Sequence, residues 1–246
     1  FGLLIVLFAF YVVHVLSGRP NPDIDYVQKW NEYSRPEGFT ESLNAVPYYE
    51  QAYSCYVKAP DQLRPHLSNS LIVLPPEMVP EAENWLQANQ DTLSVVNQAS
   101  KLPYFYYEYQ KSDEGFMADI APNLMPLLDI MKLVETRGRI AAYQDNFDQV
   151  LEAINTLNSI ASQLRREKTS LLEQLFGFTG NSRAINLASL AMQKCELSES
   201  ELMSLRDIVQ EMIDNFQFCD GSIESLYTYD LFENCFVDKA DGRGRF

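Results

Sequence analysis

The residues able to do chemistry in this chain are unevenly supplied. Acids number 34 among 246 residues, but there are only two histidines, His14 and His66, and four cysteines, Cys55, Cys195, Cys219 and Cys235. Nucleophilic catalysis by serine or cysteine ordinarily needs a base, most often histidine. His14 sits in an uninterrupted apolar run and His66 in a proline-rich stretch, so no triad can be built from them. The cysteines make no CxxC pair and predict no zinc site, and the chain has neither a glycine-rich phosphate loop nor an HExxH arrangement. The end segment, with Asp238, Asp241 and Gly242, lacks the alternating ligands of a calcium loop and reads as a turn after a helix. Carboxylate pairs for glycosidase-like chemistry are expected by chance at this acid content, and solvated helix faces account for them. The sequence therefore predicts no catalytic, cofactor-binding or metal-ligating residue.

The remaining candidates for a binding role are aromatic. Leu102-Pro103-Tyr104-Phe105-Tyr106-Tyr107-Glu108-Tyr109 has no helical periodicity. It reads as a strand-like segment lying over helices, with its rings buried, because five exposed aromatics in a row would invite aggregation. The other reading is an exposed patch for a partner, a carbohydrate or a small ligand. Val46, Tyr49, Tyr53 and Tyr56 share helical spacing and predict a packed helix edged with hydroxyls.

These residues must be positioned by helices, and the first helix sets the location. Residues 1–17 carry no charge, and such a helix reaches about 25 Å, close to a hydrocarbon core of roughly 30 Å. The chain opens on Phe1, so further apolar residues are expected upstream. A signal peptide is the competing reading, but the run leaves through Val15-Leu16-Ser17-Gly18-Arg19-Pro20, a poor cleavage site. A retained single-pass anchor over residues 1–18 is expected, with His14 at headgroup level. Only Arg19 follows the span closely, and Asp23 and Asp25 come next. That balance places the body outside the cytoplasm, on the periplasmic side, where disulfides are permitted but not required. The formal charge of −15 falls wholly outside residues 1–18. It repels phosphate backbones and excludes nucleic acid as a partner.

The rest of the chain reads as all-α. Residues 24–34 predict a short helix ended by Arg35-Pro36-Glu37-Gly38, and Asn44 reads as the cap of a helix to Val57. Five prolines mark residues 59–80 as an irregular connection, with Leu71 to Leu74 tucked onto the core, before a helix from Glu81 to Ser100. The strongest periodicity runs through Leu124, Leu127, Leu128, Met131, Val134, Gly138 and Ala141. After a turn at Gln144-Asp145-Asn146 it resumes through Phe147, Val150, Leu151, Ile154, Leu157, Ala161 and Leu164. So short a connection makes the two helices antiparallel. A third helix over 169–193 carries Leu172, Leu175, Phe176, Ile185, Ala188 and Met192, and in it Gly177 and Gly180 either break the helix or admit a close neighbour. Ser198 and Glu201 form a capping box for a helix with Leu202, Leu205, Val209, Met212, Ile213 and Phe216, and a last helix covers 222–236. The divisions are an anchor over 1–18, helices with proline-rich and aromatic connections over 19–122, and stacked antiparallel helices over 123–246, continuous with the preceding region.

The hairpin 123–165, around Gln144-Asp145-Asn146-Phe147-Asp148-Gln149-Val150-Leu151-Glu152-Ala153, resembles a tetratricopeptide unit. The repeat of about 34 residues does not recur cleanly. The chain as a whole resembles a family of membrane-anchored helical proteins of planctomycete bacteria. Asn44-Ala45-Val46-Pro47-Tyr48-Tyr49-Glu50-Gln51-Ala52, the hairpin with Leu171 to Met192, and Phe236-Val237-Asp238-Lys239-Ala240-Asp241-Gly242-Arg243-Gly244 carry the likeness. It implies an anchor, stacked helices and a longer C-terminal continuation, and it supplies no activity. The function expected is a non-enzymatic, membrane-tethered interaction or scaffold protein, an accessory subunit of a larger envelope complex, with its oligomeric state open. The competing expectations are an envelope hydrolase or lyase with carboxylates in an inter-helix cleft, and a carbohydrate or small-ligand module built on Tyr104 to Tyr109.

Overall fold

Apolar residues recurring at helical spacing set the architecture, and the computed structural model describes it for residues 25–68, 74–109, 117–166, 169–214 and 226 (backbone alone over 117–123). In chain order the helices are α1 (Tyr26–Ser34), α2 (Val46–Ser54), α3 (Arg64–Ser68), α4 (Val79–Ala88), α5 (Gln90–Ala99), α6 (Met117–Tyr143), α7 (Phe147–Leu164), α8 (Leu171–Lys194) and α9 (Glu199–Asp214). Single 3-10 turns lie at Glu41–Leu43 and Pro76–Met78. No strand forms among the described residues; Asn44 and Tyr104 make one isolated parallel bridge. The chain is all-α there, as its periodicity predicts.

The expected span over residues 1–18 lies outside the described residues, as do the expected helix 222–236 and the segment from Asp238 to Phe246. Among the described residues no helix is long and apolar enough to cross a membrane.

The centre of the molecule is the α6–α7 hairpin with α8 packed along it. Leu124, Leu127, Met131 and Val134 of α6 meet Val150, Ile154, Leu157 and Leu164 of α7, all buried. The turn between them works because Asp145 takes a left-handed conformation, φ 55°, which Asp tolerates better than most residues. Asn146 then caps α7, its Oδ1 accepting from Gln149 N at 3.2 Å. A capping box starts α8, with Ser170 N donating to Glu173 Oε2 at 2.7 Å and Glu173 N to Ser170 Oγ at 3.1 Å. The Ser198–Glu201 box read from the sequence also forms, with Ser198 N donating to Glu201 Oε2 at 2.7 Å.

Four boundaries differ from the sequence reading. Helix α6 begins at Met117 rather than near Asn123 and runs through Pro122 and Pro126, each of which removes one intrahelical bond. The helix expected over 81–100 is two, broken at Asn89, whose φ of −108° and ψ of 20° leave the helical region. Helix α2 is shorter than expected, ending at Ser54, and its cap position is Ala45 rather than Asn44. Asn44 Oδ1 still accepts from Val46 N at 3.2 Å, while its side chain also binds the aromatic run. Val57, the expected end, is held instead by the Asn89 side chain. In the proline-rich connection, His66 lies on the short helix α3, its carbonyl accepting from Arg139 Nη1 at 3.2 Å, while Leu74 is buried as expected and residues 71–73 lie outside the described residues.

The packing of α8 is the largest departure. Three of the large apolar residues that the sequence places on this helix lie at the surface: Leu175, Ile185 and Met192 are 50%, 42% and 57% exposed. Its buried face is made of small residues, Gly177, Gly180, Ala184, Ala188 and Ala191, with Leu187. The close approach requires glycine. A Cβ on Gly177 would come within 2.9 Å of the Ala161 carbonyl oxygen, and one on Gly138 within 2.9 Å of Ala153 Cβ. The two glycines of α8 thus admit a neighbour rather than break the helix.

Candidate functional site

Side-chain amides, rather than acids or nucleophiles, do the unusual work in this structure. At Tyr104 the aromatic run makes a bridge, its carbonyl accepting from Ala45 N at 2.7 Å and its N–H donating to the Leu43 carbonyl at 3.3 Å. Beyond that bridge the run has no neighbouring strand among the described residues, so its later backbone groups need other partners. Asn44 Nδ2 donates to the Tyr106 carbonyl at 3.0 Å, and Asn44 Oδ1 accepts from Tyr106 N at 3.2 Å. Asn31 does the same for Tyr109, at 2.7 and 2.9 Å. Asn89 repeats the arrangement on Val57, accepting from its N–H at 2.9 Å and donating to its carbonyl at 3.1 Å. A side-chain amide carries one donor and one acceptor side by side, as a residue of a strand does. Each of these asparagines therefore acts as a one-residue strand.

Held in this way, the run is largely core. Phe105, Tyr106 and Tyr109 are 1%, 7% and 8% exposed, and Tyr104 and Tyr107 are half-buried. Tyr49 packs on Phe105 with centroids 6.0 Å apart, and its hydroxyl donates to Gln163 Oε1 at 2.7 Å. Burial is the main force driving the Tyr49 hydroxyl pKa upward, against that hydrogen bond. Tyr107 lines a small recess of about 230 Å³ with Tyr49, Glu50 and Tyr53. The rings do not form a continuous exposed platform.

The carboxylate whose pKa burial raises most plainly is Glu135, opposed by Arg183 and Arg139. It forms a buried ion pair with Arg183 and lines none of the grooves described here. It ties α6 to α8.

The surface best shaped to receive a ligand lies between α5 and the α6–α7 hairpin. It is a groove of about 630 Å³. Helix α5 presents Gln90, Ser94, Asn97 and Gln98 along one side because these positions fall at helical spacing opposite its buried residues, Thr92, Val96 and Ala99. Arg137 of α6 and Gln149 and Glu152 of α7 form the other side, Leu86, Leu93 and Ile140 the apolar floor, and Lys101 adds a cation. Arg137 holds Glu152 through two hydrogen bonds of 3.3 and 2.8 Å, and Asn97 Nδ2 donates to Glu152 Oε1 at 2.6 Å. Both oxygens of that carboxylate are thereby engaged, which braces α5 against the hairpin.

Sequence reasoning gave none of these groove residues a binding role. Polar positions on a helix read as a solvated face, and nothing local reveals that two such faces meet. The cysteines stand apart from the groove: Cys55 is an exposed free thiol, and Cys195 is half-buried near the Ala142 carbonyl at 3.7 Å. Cys219 and Cys235 lie outside the described residues. No protein-family model, no curated protein and no solved structure matches the chain.

Proposed function

We propose that this chain is a non-enzymatic, membrane-tethered scaffold, an accessory subunit of a larger envelope complex, which holds an extended segment of a protein partner in the groove between α5 and the α6–α7 hairpin. The tether and its extracytoplasmic placement come into this reading from residues 1–18 and Arg19 of the sequence, and the likeness to planctomycete membrane-anchored proteins, carried by other stretches of the chain, implies an anchor as well.

One observation carries the proposal. The groove is lined by neutral amides and a hydroxyl, Gln90, Ser94, Gln98 and Gln149, over an apolar floor. That is the chemistry by which Asn31, Asn44 and Asn89 already hold extended backbone inside the same molecule. An extended peptide offers alternating N–H and C=O groups for the amides and alternating side chains for the floor. A sugar is favoured less, because no aromatic ring is among the described lining residues. Carboxylate hydrolysis is favoured less because the described lining holds one acid, Glu152, and both its oxygens are occupied.

A photoreactive side chain at Gln98 of the full chain, activated in its native membranes, tests this reading. The adduct is expected to contain a peptide of another protein, at a yield well above that from the exposed Glu211 position. Adducts with glycan or lipid alone, or equal yields at both positions, overturn it.

A further inference from the structure

Between α2, the aromatic run and α6 lies the recess of about 230 Å³ that Tyr107 lines. Tyr49 and Tyr53, one helical turn apart on α2, join Tyr107 to supply three rings. Pro126, Leu127 and Ile130 of α6 supply an aliphatic side, and Glu50 is the only charged residue of the described lining. The rings are fixed by their neighbours. Phe105 lies 6.0 Å from Tyr49 and 5.4 Å from Tyr107, centroid to centroid. Tyr56 stacks on Tyr53 at 6.1 Å, with the two planes 13° apart.

The hydroxyl donors of two of these tyrosines are already committed. The Tyr49 hydroxyl donates to Gln163 Oε1 at 2.7 Å, and the Tyr107 hydroxyl donates to Glu50. What they leave for a ligand is ring surface, whose quadrupole attracts cations. The Tyr107 bond also holds a carboxylate at the same recess. An inorganic cation or a lysine ammonium is strongly hydrated and needs several oxygens in place of its water, more than one carboxylate provides. A quaternary ammonium carries its charge behind apolar methyl groups, which fit the aliphatic residues of α6 as well as the rings. The formal charge of −15 draws cations toward the surface as a whole.

We propose that this recess binds a small quaternary ammonium cation of the choline class, with the rings of Tyr49, Tyr53 and Tyr107 against its methyl groups and Glu50 as the counter-charge. The volume is below the roughly 300–1,000 Å³ of sites for larger ligands, which suits one such group. A neutral sugar needs its hydroxyls met by several donors, and those of Tyr49 and Tyr107 are engaged within the chain. The recess shares no lining residue with the groove between α5 and the hairpin, so the two sites stand or fall independently.

Saturation-transfer NMR on the full chain in a maltoside detergent tests this, reading the methyl resonances of choline and of dimethylbutanol, the neutral molecule in which carbon replaces the nitrogen. Choline is expected to bind with a Kd of about millimolar, and the neutral isostere about tenfold or more weakly. Tyr53→Leu, which keeps apolar bulk but removes the ring, and Glu50→Gln are each expected to weaken choline about three- to tenfold, with the circular dichroism unchanged. Glu211→Gln removes the same charge from an exposed position on α9 and is expected to leave choline binding within about twofold. Phosphocholine, whose dianion the acidic chain repels, is expected to bind more weakly than choline. Equal binding of choline and its isostere, or no binding of choline at about 100 mM, overturns the proposal. An equal loss in Glu50→Gln and Glu211→Gln would assign the effect to overall charge and overturn the site. Tighter binding of phosphocholine would make a zwitterionic headgroup the ligand and overturn the assignment of a free cation.

Discussion

Asn44 and Tyr106 are 62 residues apart in sequence and are joined by two hydrogen bonds, one in each direction, between a side-chain amide and a backbone amide. Both residues are buried, at 5% and 7% exposure, so water does not substitute for either bond. Removing a partner from a buried polar group costs more than the bond itself contributes. Asn44→Ala leaves two backbone groups of Tyr106 unmatched and is expected to lower stability by about 2–4 kcal/mol. Urea denaturation measures it. Asn44→Asp is expected to fail as well, because a carboxylate can accept from the N–H but meets the carbonyl with a like charge.

The glycines of the α6–α7–α8 core give a prediction whose sign intrinsic helix preference alone would get wrong. Alanine is favoured over glycine in a helix by about 1 kcal/mol. At Gly177 the new Cβ would meet the Ala161 carbonyl oxygen at 2.9 Å, and at Gly138 it would meet Ala153 Cβ at 2.9 Å. Neither obstacle is the end of a flexible chain, so Gly177→Ala and Gly138→Ala are expected to destabilise by about 1–3 kcal/mol. Gly180→Ala, with nothing closer than 3.2 Å, is expected to be near neutral. Thermal denaturation of the three variants side by side checks the order.

The Glu135–Arg183 pair links α6 to α8, and both side chains are buried. Glu135→Ala leaves a buried guanidinium without that partner and is expected to cost about 3–5 kcal/mol. Replacing both, as Glu135→Leu with Arg183→Met, is expected to recover most of that loss, since two apolar side chains avoid the desolvation of two charges. A double-mutant cycle in urea separates the pair's coupling from the cost of stranding one charge. No recovery in the double variant would show that the pair's own attraction, not burial of an orphaned charge, dominates.

Alkaline pH should act through the tyrosines. Burial, the first cause in each case, raises the hydroxyl pKa of Tyr49, Tyr56 and Tyr107 above the ordinary value of 10.0. A group with a raised folded-state pKa contributes its full stability below the unfolded value and loses it as pH rises toward the folded value. Stability is therefore expected to be flat with respect to these groups below about pH 9 and to fall above about pH 10. Absorbance of phenolate at 295 nm, followed with circular dichroism, should show these tyrosines ionising only as the helices unfold. Phenolate appearing from all tyrosines with the fold intact would refute their burial.

What the sequence determined by itself is local. Leu124 to Ala141 and Phe147 to Leu164 repeat at the helical period, and that period depends only on backbone geometry. The antiparallel hairpin was therefore legible, together with the turn at Asp145 and the Ser198–Glu201 cap. A second cap, Ser170 with Glu173, was equally legible in its spacing and went unread. What only the tertiary structure decided is which surface meets which. Helix α8 is apolar on both sides, and its glycines and alanines were chosen for the core because they let α7 approach, leaving Leu175, Ile185 and Met192 at the surface. Asn31, Asn44 and Asn89 read as an ordinary polar position, a helix cap and a mid-helix residue. Their partners lie 78, 62 and 32 residues away, and a side-chain hydrogen bond over that separation leaves no periodic trace. The groove follows the same logic, because Gln98 and Gln149 sit on two helices, each of which alone looks solvated, and only packing makes them opposite walls.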